Sequence, residues 1–484
     1  MAPSNPFGDL VVVIPGILGS RLVRKEGKRT TTVWDLSIKS LPRLLQQLAS
    51  DGLVLDQQDG APADGVEADE LFSFQWLPGF FGVDDYAPLV TALRKSIGSE
   101  SGQLITFPYD WRASNRHAAA KLADRALSAL DQWKKDSGNT QAKLWLVCHS
   151  MGGLVARYFC EQLGGAPHTR AIVTLGTPHR GSVNALDALA NGKTFWPLNL
   201  TRFLRSMPSV YELLPLFPAI GVGPGHEGAI HYIADFFGLD PITGKDKPGA
   251  DSSVSLPVLQ GLDRGMVKRA LEFHAGIRLP AEKRAAEGAP TPYRQYVFFN
   301  RRQRTALSAR LERQKLEVFN YYPATGERWI DDRGDGTVPS FASVPIEWET
   351  TAEAIPIGEK HAALQTAEVV ASSLHNWLRP LDVRKLKGGV TDNSVVELNV
   401  PPVLAASEEL VVDLASLEPM NVMVQLHDAE GQLKAERPAS LRGEDQHDTV
   451  GFRRLPAGVY RVSAVPQDRM QIIVSDLVLV PEPA

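Results

Sequence analysis

Short apolar runs alternate with amphipathic stretches along the first 380 residues of the chain. The apolar runs are four or five residues long and typical of buried strands, at 10–14, 104–107, 144–148, 171–175 and 296–300. Helical spacing of apolar positions predicts helices at 116–135, 154–163 and 362–378, the first capped by Ser114 or Asn115. This alternation favours an α/β domain built on a mostly parallel sheet.

Two stretches interrupt the alternation, at about 31–81 and about 184–292. Both contain many Pro and Gly residues, and the second also has a helical pattern at 262–273. We interpret the two stretches as insertions that cover one end of the sheet as a cap.

The pattern changes again after residue 380. A basic, glycine-containing stretch at 381–394 is weakly patterned and is interpreted as a linker. Beyond it, alternating runs without long helices are typical of strands, at 395–400, 409–414, 421–426, 458–465 and 471–480. We therefore predict an α/β domain over 1–380 and a small all-β sandwich over 395–484, with a hairpin turn at 428–432.

The sequence LWLVCHSMGGLVARYF places Ser150 between a predicted strand and a predicted helix. A serine at such a turn projects from the end of a sheet, in the geometry of a nucleophile elbow. The usual pattern is G-x-S-x-G, and here Cys148 replaces the first glycine. Cys is small enough for the close passage of strand and helix, so Ser150 is the candidate nucleophile, with a simple helix-capping serine as the alternative.

A serine nucleophile requires a base and a carboxylate that orients the base. In α/β-hydrolases these follow in the order Ser, Asp, His. Asp335 lies between glycines in RGDGTVP, and His361 begins a predicted helix in EKHAALQ. We predict Ser150, Asp335 and His361 as a catalytic triad; the alternatives are Asp331 or Asp332 for the acid and His375 for the base.

The same chemistry requires two N–H groups that stabilise an oxyanion. The backbone N–H of Met151 follows the nucleophile and is one candidate. The glycine-rich stretch IPGILGS, at the end of the first predicted strand, offers Ile17 as the second donor and Leu18 as the alternative.

Composition and charge exclude several other classes of function. Lys and Arg number 51 against 56 Asp and Glu, which does not favour nucleic acid as a partner. The chain has only two cysteines, too few for a disulfide framework. No histidine spacing suggests a zinc site and no glycine-rich loop carries a phosphate-binding lysine, so we predict no cofactor and no metal.

The N-terminal residues lack the basic and long apolar regions of a signal peptide. No apolar run approaches the ~20 residues of a membrane span. These features predict a cytoplasmic protein, with secretion by a signal-less route as the alternative.

The chain resembles the lecithin:cholesterol acyltransferase and lysosomal phospholipase A2 family of α/β-hydrolases. The matching motifs, in family order, are IPGILGSRL (14–22), VWD (33–35), LPGFFGVDDYAPLV (77–90), FPYDWR (107–112), HSMGGLVARYF (149–159), LGTPHRGS (175–182), RSMPSVYELLP (205–215) and GDGTVP (334–339). The resemblance implies the triad Ser150, Asp335 and His361, with an oxyanion hole at Ile17 and Met151. It also implies fatty-acid esters, especially phospholipids, as substrates, and acyl transfer to water or to another hydroxyl.

We therefore predict a serine esterase acting on acyl esters of lipids, either a phospholipase or lipase or an O-acyltransferase. One alternative is a hydrolase of non-lipid esters with the same mechanism. Another is a binding or scaffold protein in which the hydrolase domain is a platform. A dense aromatic stretch at 72–81 makes a membrane surface a candidate partner, and the sequence does not identify a protein partner for the β-domain.

Overall fold

The computed structural model describes residues 7–35, 46–48, 50–55, 62, 64–71, 86–97, 102–195, 198–222, 230–247, 256–321, 333–348, 354–378, 396–401, 404, 408–416, 419–428, 431–442, 446–453, 455–467 and 474–480. The aromatic stretch 72–81, Asp331, Asp332 and the predicted linker 381–394 lie outside these residues. Over the ranges just given, no helix combines the length and the apolar character needed to cross a membrane.

The strands before residue 380 are β1 (Leu10–Ile14), β2 (Ser20–Glu26), β3 (Arg29–Trp34), β4 (Val66–Leu71), β5 (Leu104–Thr106), β6 (Leu144–His149), β7 (Thr169–Leu175), β8 (Thr194–Phe195), β9 (Leu198–Asn199), β10 (Ile220–Val222), β11 (Ile230–His231), β12 (Arg294–Phe299), β13 (Ser308–Glu312), β14 (Lys315–Phe319) and β15 (Ile355–Pro356). The helices are α1 (Ala87–Ile97), α2 (Asn115–Ser137), α3 (Gly152–Gln162), α4 (Val183–Ala190), α5 (Thr201–Arg205), α6 (Pro208–Tyr211), α7 (Arg264–Ala286) and α8 (Glu368–Trp377).

A parallel sheet with the strand order β15-β12-β7-β6-β1-β5 forms the centre of the α/β domain. Every residue of β1 and β6 is buried, because helices cover both faces of the sheet. Leu10, Val12 and Ile14 join the core that includes α2 and α3. Val11 and Val13 point the other way, into the core that includes α1 and α8. The carboxyl ends of these strands therefore meet at one edge, where open α/β sheets bind ligands.

Smaller elements surround this sheet. An antiparallel sheet with the order β3-β2-β4 lies within the early part of the chain. A second small sheet, in the order β11-β10-β13-β14, combines strands from both sides of α7. Helix α7 begins with Asp263, whose side chain accepts a hydrogen bond from the Met266 N–H, and it extends well beyond the predicted 262–273.

The predicted helix at 362–378 is divided in two. Residues His361–Thr366 form a 3₁₀ turn, and α8 begins only at Glu368. Ala367 between them has the extended conformation φ −62°, ψ 130°, which breaks the helical hydrogen-bond ladder. His361 consequently lies at the start of the short 3₁₀ turn and not on α8.

The C-terminal strands are β16 (Val396–Asn399), β17 (Leu410–Ser416), β18 (Met420–Asp428), β19 (Leu433–Leu441), β20 (His447–Phe452), β21 (Gly458–Pro466) and β22 (Val474–Val480). They form two antiparallel sheets, β16-β17-β20 and β19-β18-β21-β22, around one apolar core. Val422, Val424 and Leu426 show the alternation that places one face of a strand in the core. The predicted α/β-hydrolase fold with an added C-terminal β-sandwich is confirmed.

The N-terminus of α2 carries a buried carboxyl group. The Ser114 hydroxyl accepts the Arg116 N–H and donates to Glu212 Oε1 at 2.5 Å, and the Asn115 N–H donates to Glu212 Oε2 at 2.7 Å. Glu212 is 3 % exposed. Its burial raises the pKa of the carboxyl group from 4.5 to about 7, despite these two hydrogen bonds.

This pKa predicts a pH-dependent penalty in stability. The folded-state pKa exceeds the unfolded value, so the stability contributed by protonated Glu212 is lost as pH rises from 4.5 to about 7. The Glu212→Gln variant has no such proton to lose. The unfolding free energy of the wild type relative to Glu212→Gln should fall by about 3 kcal/mol between pH 4 and pH 8. Thermal unfolding of both proteins at each pH measures the difference, and a pH-independent difference in Tm contradicts the prediction.

Candidate active site

Ser150 occupies a tight turn between β6 and α3. Its φ of +49° lies in the left-handed region, which non-glycine residues seldom adopt. The Ser150 N–H donates to Leu175 O at 2.9 Å, and the Thr177 hydroxyl donates to Ser150 O at 2.8 Å. Both backbone groups of the serine are thus held by the last residue of β7 and the segment that follows it, and the strained turn is stabilised by its surroundings.

Glycine and cysteine residues make this turn possible. A Cβ on Gly152 would lie 2.5 Å from Pro15 O and 2.7 Å from Ile14 O, so position 152 requires glycine. Cys148 pairs with Ile14 on one side and Thr174 on the other, and its side chain is buried. Burial raises the pKa of the Cys148 thiol well above its usual value, so the thiol stays protonated and unreactive beside the serine.

The side chains of Ser150, His361 and Asp335 form a continuous chain of hydrogen bonds. His361 Nε2 lies 2.8 Å from Ser150 Oγ, and His361 Nδ1 lies 2.7 Å from Asp335 Oδ2. The other carboxylate oxygen, Oδ1, accepts the N–H groups of Thr337 at 2.9 Å and Val338 at 2.7 Å. Because the carboxylate can only accept from the imidazole, Nδ1 carries the proton and the Nε2 lone pair faces the serine hydroxyl.

These three side chains are buried, and their segments are tied together. The His361 N–H donates to Asp335 O at 2.9 Å, so the two loops also pair through the backbone. Gly176, with φ +61°, passes so close that a Cβ there would lie 2.9 Å from Asp335 Oδ2 and 3.1 Å from His361 Nδ1. The alternative base, His375, lies on α8 and bonds instead to Ser96 Oγ at 3.1 Å.

The predicted oxyanion loop passes directly over the serine. A Cβ on Gly16 would lie 2.8 Å from Ser150 Cβ. For the N–H groups of Ile17 and Met151, no acceptor is found in the described part of the chain. The Gly16 N–H, in contrast, is already bonded to Tyr86 Oη at 2.9 Å. Ile17 and Met151 therefore remain the candidate donors beside Ser150.

Side chains of the FPYDWR motif form hydrogen bonds with the oxyanion loop. Tyr109 Oη donates to Pro15 O at 3.0 Å, and Trp111 Nε1 donates to Ser20 O at 3.1 Å. The buried Arg112 guanidinium makes two bonds to Asp110, at 2.7 and 2.9 Å. The ionic part of the motif is a structural clamp, and its aromatic residues fix both ends of the loop that contains Ile17.

A second hydrogen-bonded chain, which the sequence reasoning missed, joins the oxyanion loop to His361. Tyr86 Oη accepts the Gly16 N–H and donates to His149 Nδ1 at 2.8 Å, and His149 Nε2 donates to His361 O at 3.0 Å. Burial and the neighbouring His361 lower the pKa of His149 to about 3, so its ring is neutral and can both accept and donate. The sequence feature that could have indicated this second chain is His149, the residue before Ser150.

His179 and Arg180 follow the turn Gly-Thr-Pro at 176–178. Among the described residues, no hydrogen bond joins either side chain to Ser150. Arg180 Nη2 donates to Pro345 O at 3.2 Å and Trp348 O at 2.6 Å, so it braces a neighbouring loop. Within the described residues, no cluster of His, Cys, Asp and Glu has the arrangement of a metal site.

Comparison with protein families finds one match over part of the chain. Residues 53–226 match the family model of lecithin:cholesterol acyltransferase. Over these residues the chain is similar to that family, which confirms the predicted resemblance. This similarity supports, in general terms, a lipid ester hydrolase or acyltransferase. The matched segment includes Ser150 and ends before Asp335 and His361.

Solved structures add only distant likenesses. A lipase from Bacillus licheniformis in its propeptide form is similar over 99 % of this chain and 75 % of its own, with 10 % identity and a TM-score of 0.35. A CARDB domain from Pyrococcus furiosus covers 18 % of this chain and 85 % of its own, with 19 % identity and a TM-score of 0.15. Scores this low carry no argument about function. A search of curated protein sequences finds no match.

Proposed function

We propose that this protein, which resembles the lecithin:cholesterol acyltransferase family over residues 53–226, is a serine-dependent lipid esterase or acyltransferase. The observation that carries the proposal is the unbroken chain Ser150 Oγ–His361 Nε2 and His361 Nδ1–Asp335 Oδ2, at 2.8 and 2.7 Å. Nucleophile, base and orienting acid each have the partner that their role requires. Phospholipids are the proposed substrate class, on the strength of the family.

In the proposed mechanism Ser150 Oγ attacks the carbonyl carbon of the acyl ester, and its proton passes to His361 Nε2. Asp335 stabilises the resulting imidazolium, and the N–H groups of Ile17 and Met151 stabilise the oxyanion. The bond to the leaving alcohol then breaks as His361 returns the proton to that alcohol, which leaves an acyl-serine. Water or an acceptor alcohol attacks this intermediate and gives a proton to His361. The bond between the acyl carbon and Ser150 Oγ then breaks as His361 returns the proton to Oγ, which releases the acid or the new ester and regenerates the enzyme.

Incubation with mixed phospholipid vesicles, with and without a long-chain acceptor alcohol, tests the proposal. Mass spectrometry should detect fatty acid and lysophospholipid from the wild type but not from Ser150→Ala, and a new ester where the alcohol accepts the acyl group. Peptide mapping of quenched reactions should locate an acyl adduct on Ser150. If the wild type cleaves short p-nitrophenyl esters but leaves the vesicle lipids intact, the substrate is a non-lipid ester. Equal products from the wild type and Ser150→Ala would contradict the mechanism.

The hydrogen-bonded chain from Gly16 through Tyr86 and His149 to His361, called here the Tyr86–His149 relay, yields a kinetic prediction. Tyr86→Phe removes one hydroxyl and leaves both the Gly16 N–H and His149 Nδ1 buried without their partner. Since these groups position the oxyanion loop and the backbone of His361, kcat should fall by about tenfold with little change in KM. Steady-state hydrolysis of a p-nitrophenyl ester measures both constants.

Tyr460→Phe provides the matched control, because its hydroxyl bonds to Pro456 O within the β-domain, at 3.0 Å. If Tyr86→Phe retains the same kcat as this control, the relay does not position the reacting groups.

A further inference from the structure

The C-terminal β-sandwich contacts the α/β domain at the two loops that carry Asp335 and His361. Among the described residues, the polar contacts on the side of the α/β domain include those of Gln303, Arg304, Arg333 and Lys360. Arg333 is two positions before Asp335, and Lys360 immediately precedes His361. The contacts therefore reach the acid and the base of the proposed triad through their nearest chain neighbours.

The first contact is between the side-chain amide of Gln303 and the backbone of strand β16. Gln303 Nε2 donates to Val396 O and Gln303 Oε1 accepts the Leu398 N–H, both at 3.3 Å, so the amide pairs with edge strand β16. The backbone of the same residue exchanges two hydrogen bonds with Gly334, at 2.9 and 3.0 Å. Gln303 is 1 % exposed. It links β16 to the residue next to Asp335 with every polar group in use.

The second contact is a buried carboxylate that pairs with two more exposed arginines. Glu397, on β16, is 8 % exposed and binds Arg333 Nη1 at 2.8 Å and Arg304 Nε at 2.9 Å. A buried carboxylate is costly unless its partners are held in place. Arg333 also donates to Arg302 O at 3.2 Å, so its guanidinium joins the sandwich to the segment after β12 as well as to the Asp335 loop.

The third contact lies on the other sheet of the sandwich. Lys360 Nζ pairs with Asp476 Oδ2 of β22 at 2.5 Å, and both side chains are largely covered. Lys360 is the residue before the 3₁₀ turn that begins at His361. On the inner side, Asn300 Nδ2 donates to Gly358 O at 2.9 Å and Glu359 O at 2.8 Å. The His361 loop is thus clamped between the central sheet and the sandwich.

We propose that the β-sandwich positions the acid–base half of the triad, with Glu397 and Asp476 as positioning residues that act through the Asp335 and His361 loops. The proposal rests on the proposed function of these two residues as acid and base. Ser150 is held by β6, α3 and the segment after β7, whereas its two partners lie on loops that leave the sheet. The sandwich supplies these loops with the rigid support that the sheet gives to the serine, and a misplacement of about 1 Å in such a group can cost about 100-fold in rate.

The double variant Glu397→Gln/Asp476→Asn tests this assignment in the full-length chain. Its kcat for a p-nitrophenyl ester should fall by about tenfold while KM changes by less than about twofold, because Glu397 and Asp476 contact the Asp335 and His361 loops through Arg333 and Lys360. Glu409→Gln is the matched control, since Glu409 pairs with Arg453 inside the sandwich at 3.2 Å. The single variant Asp476→Asn, at a partly exposed position, serves if the double variant unfolds. Wild-type kcat in both variants overturns the proposal.

A charge reversal separates positioning from a general loss of structure. Asp476→Lys alone should lower kcat, and Lys360→Asp/Asp476→Lys, which restores the ion pair with opposite polarity, should recover most of it. Failure of this rescue, with both proteins folded, would show that the pair does not act through the His361 loop.

Hydrogen–deuterium exchange gives an outcome that is independent of the substrate. In Glu397→Gln/Asp476→Asn, peptides covering 333–348 and 354–366 should exchange faster, while those covering 144–162 should be unchanged. If the wild type cleaves no ester, the proposed function fails and exchange alone still decides whether the sandwich orders these loops. Unchanged exchange in both loops would overturn the proposal even in an active enzyme.

Discussion

Replacement of Ser150 by alanine is expected to lower kcat for ester hydrolysis by about a millionfold, the loss that follows removal of a triad nucleophile. Alanine fits the same turn and keeps both backbone hydrogen bonds of position 150, to Leu175 O and from Thr177. The variant should therefore keep the Tm of the wild type and bind substrate normally. Residual turnover would come from the oxyanion donors and from substrate binding.

Ser96→Ala is the appropriate control for this loss. Ser96 is also a buried serine with a histidine partner, His375 Nδ1 at 3.1 Å, but it lies on α1. Its replacement should leave kcat within about twofold of the wild type, since surroundings rather than residue type determine activation. If Ser150→Ala retained more than a trace of wild-type activity, Ser150 would not be the nucleophile.

The second large effect is expected for Asp335→Asn, which should lower kcat by about 10⁴-fold without unfolding the protein. The asparagine oxygen would replace Oδ1 and keep the N–H bonds of Thr337 and Val338. Its NH₂ group would then face His361 Nδ1 and donate to it. His361 would carry its proton on Nε2, directed at Ser150, and could not accept the serine proton.

Asp240→Asn distinguishes this tautomer effect from the loss of a turn. Asp240 Oδ1 accepts the N–H groups of Ile242 at 3.1 Å and Thr243 at 2.8 Å, so it also serves a local turn. Activity should be normal in Asp240→Asn and nearly absent in Asp335→Asn, as measured by steady-state hydrolysis. Equal activities would show that Asp335 only stabilises its turn and does not orient His361.

The central strands were predictable because both of their faces are buried. The run 10–14 is wholly apolar and coincides with β1, and 144–148 falls one residue short of β6. Strand β19 was not predicted, since Glu436, Arg437 and Pro438 obscure its alternation. It is an edge strand, where charge and proline are tolerated because one side has no ladder to maintain.

The candidate site was predictable in part for a different reason. Ser150, Asp335 and His361 stand in turns with recognisable composition, so each could be named singly, and the structure brings their side chains together. The Tyr86–His149 relay depends on a contact between residues 63 positions apart, which no local pattern encodes. The Gln303, Glu397 and Asp476 contacts likewise cross a domain boundary, and pairing across such distances appears only in three dimensions.

The long separation between Ser150 and His361, 211 positions, also has a consequence for biosynthesis. Protein chains emerge from the ribosome at about 5–20 residues per second, so the elbow and the strands β1, β5, β6 and β7 around it are synthesised several seconds or more before His361. Asp476 follows His361 by a further 115 positions. A nascent chain would thus display the proposed nucleophile without its proposed base, so ester cleavage through Ser150 should begin only after His361 has been translated and has folded.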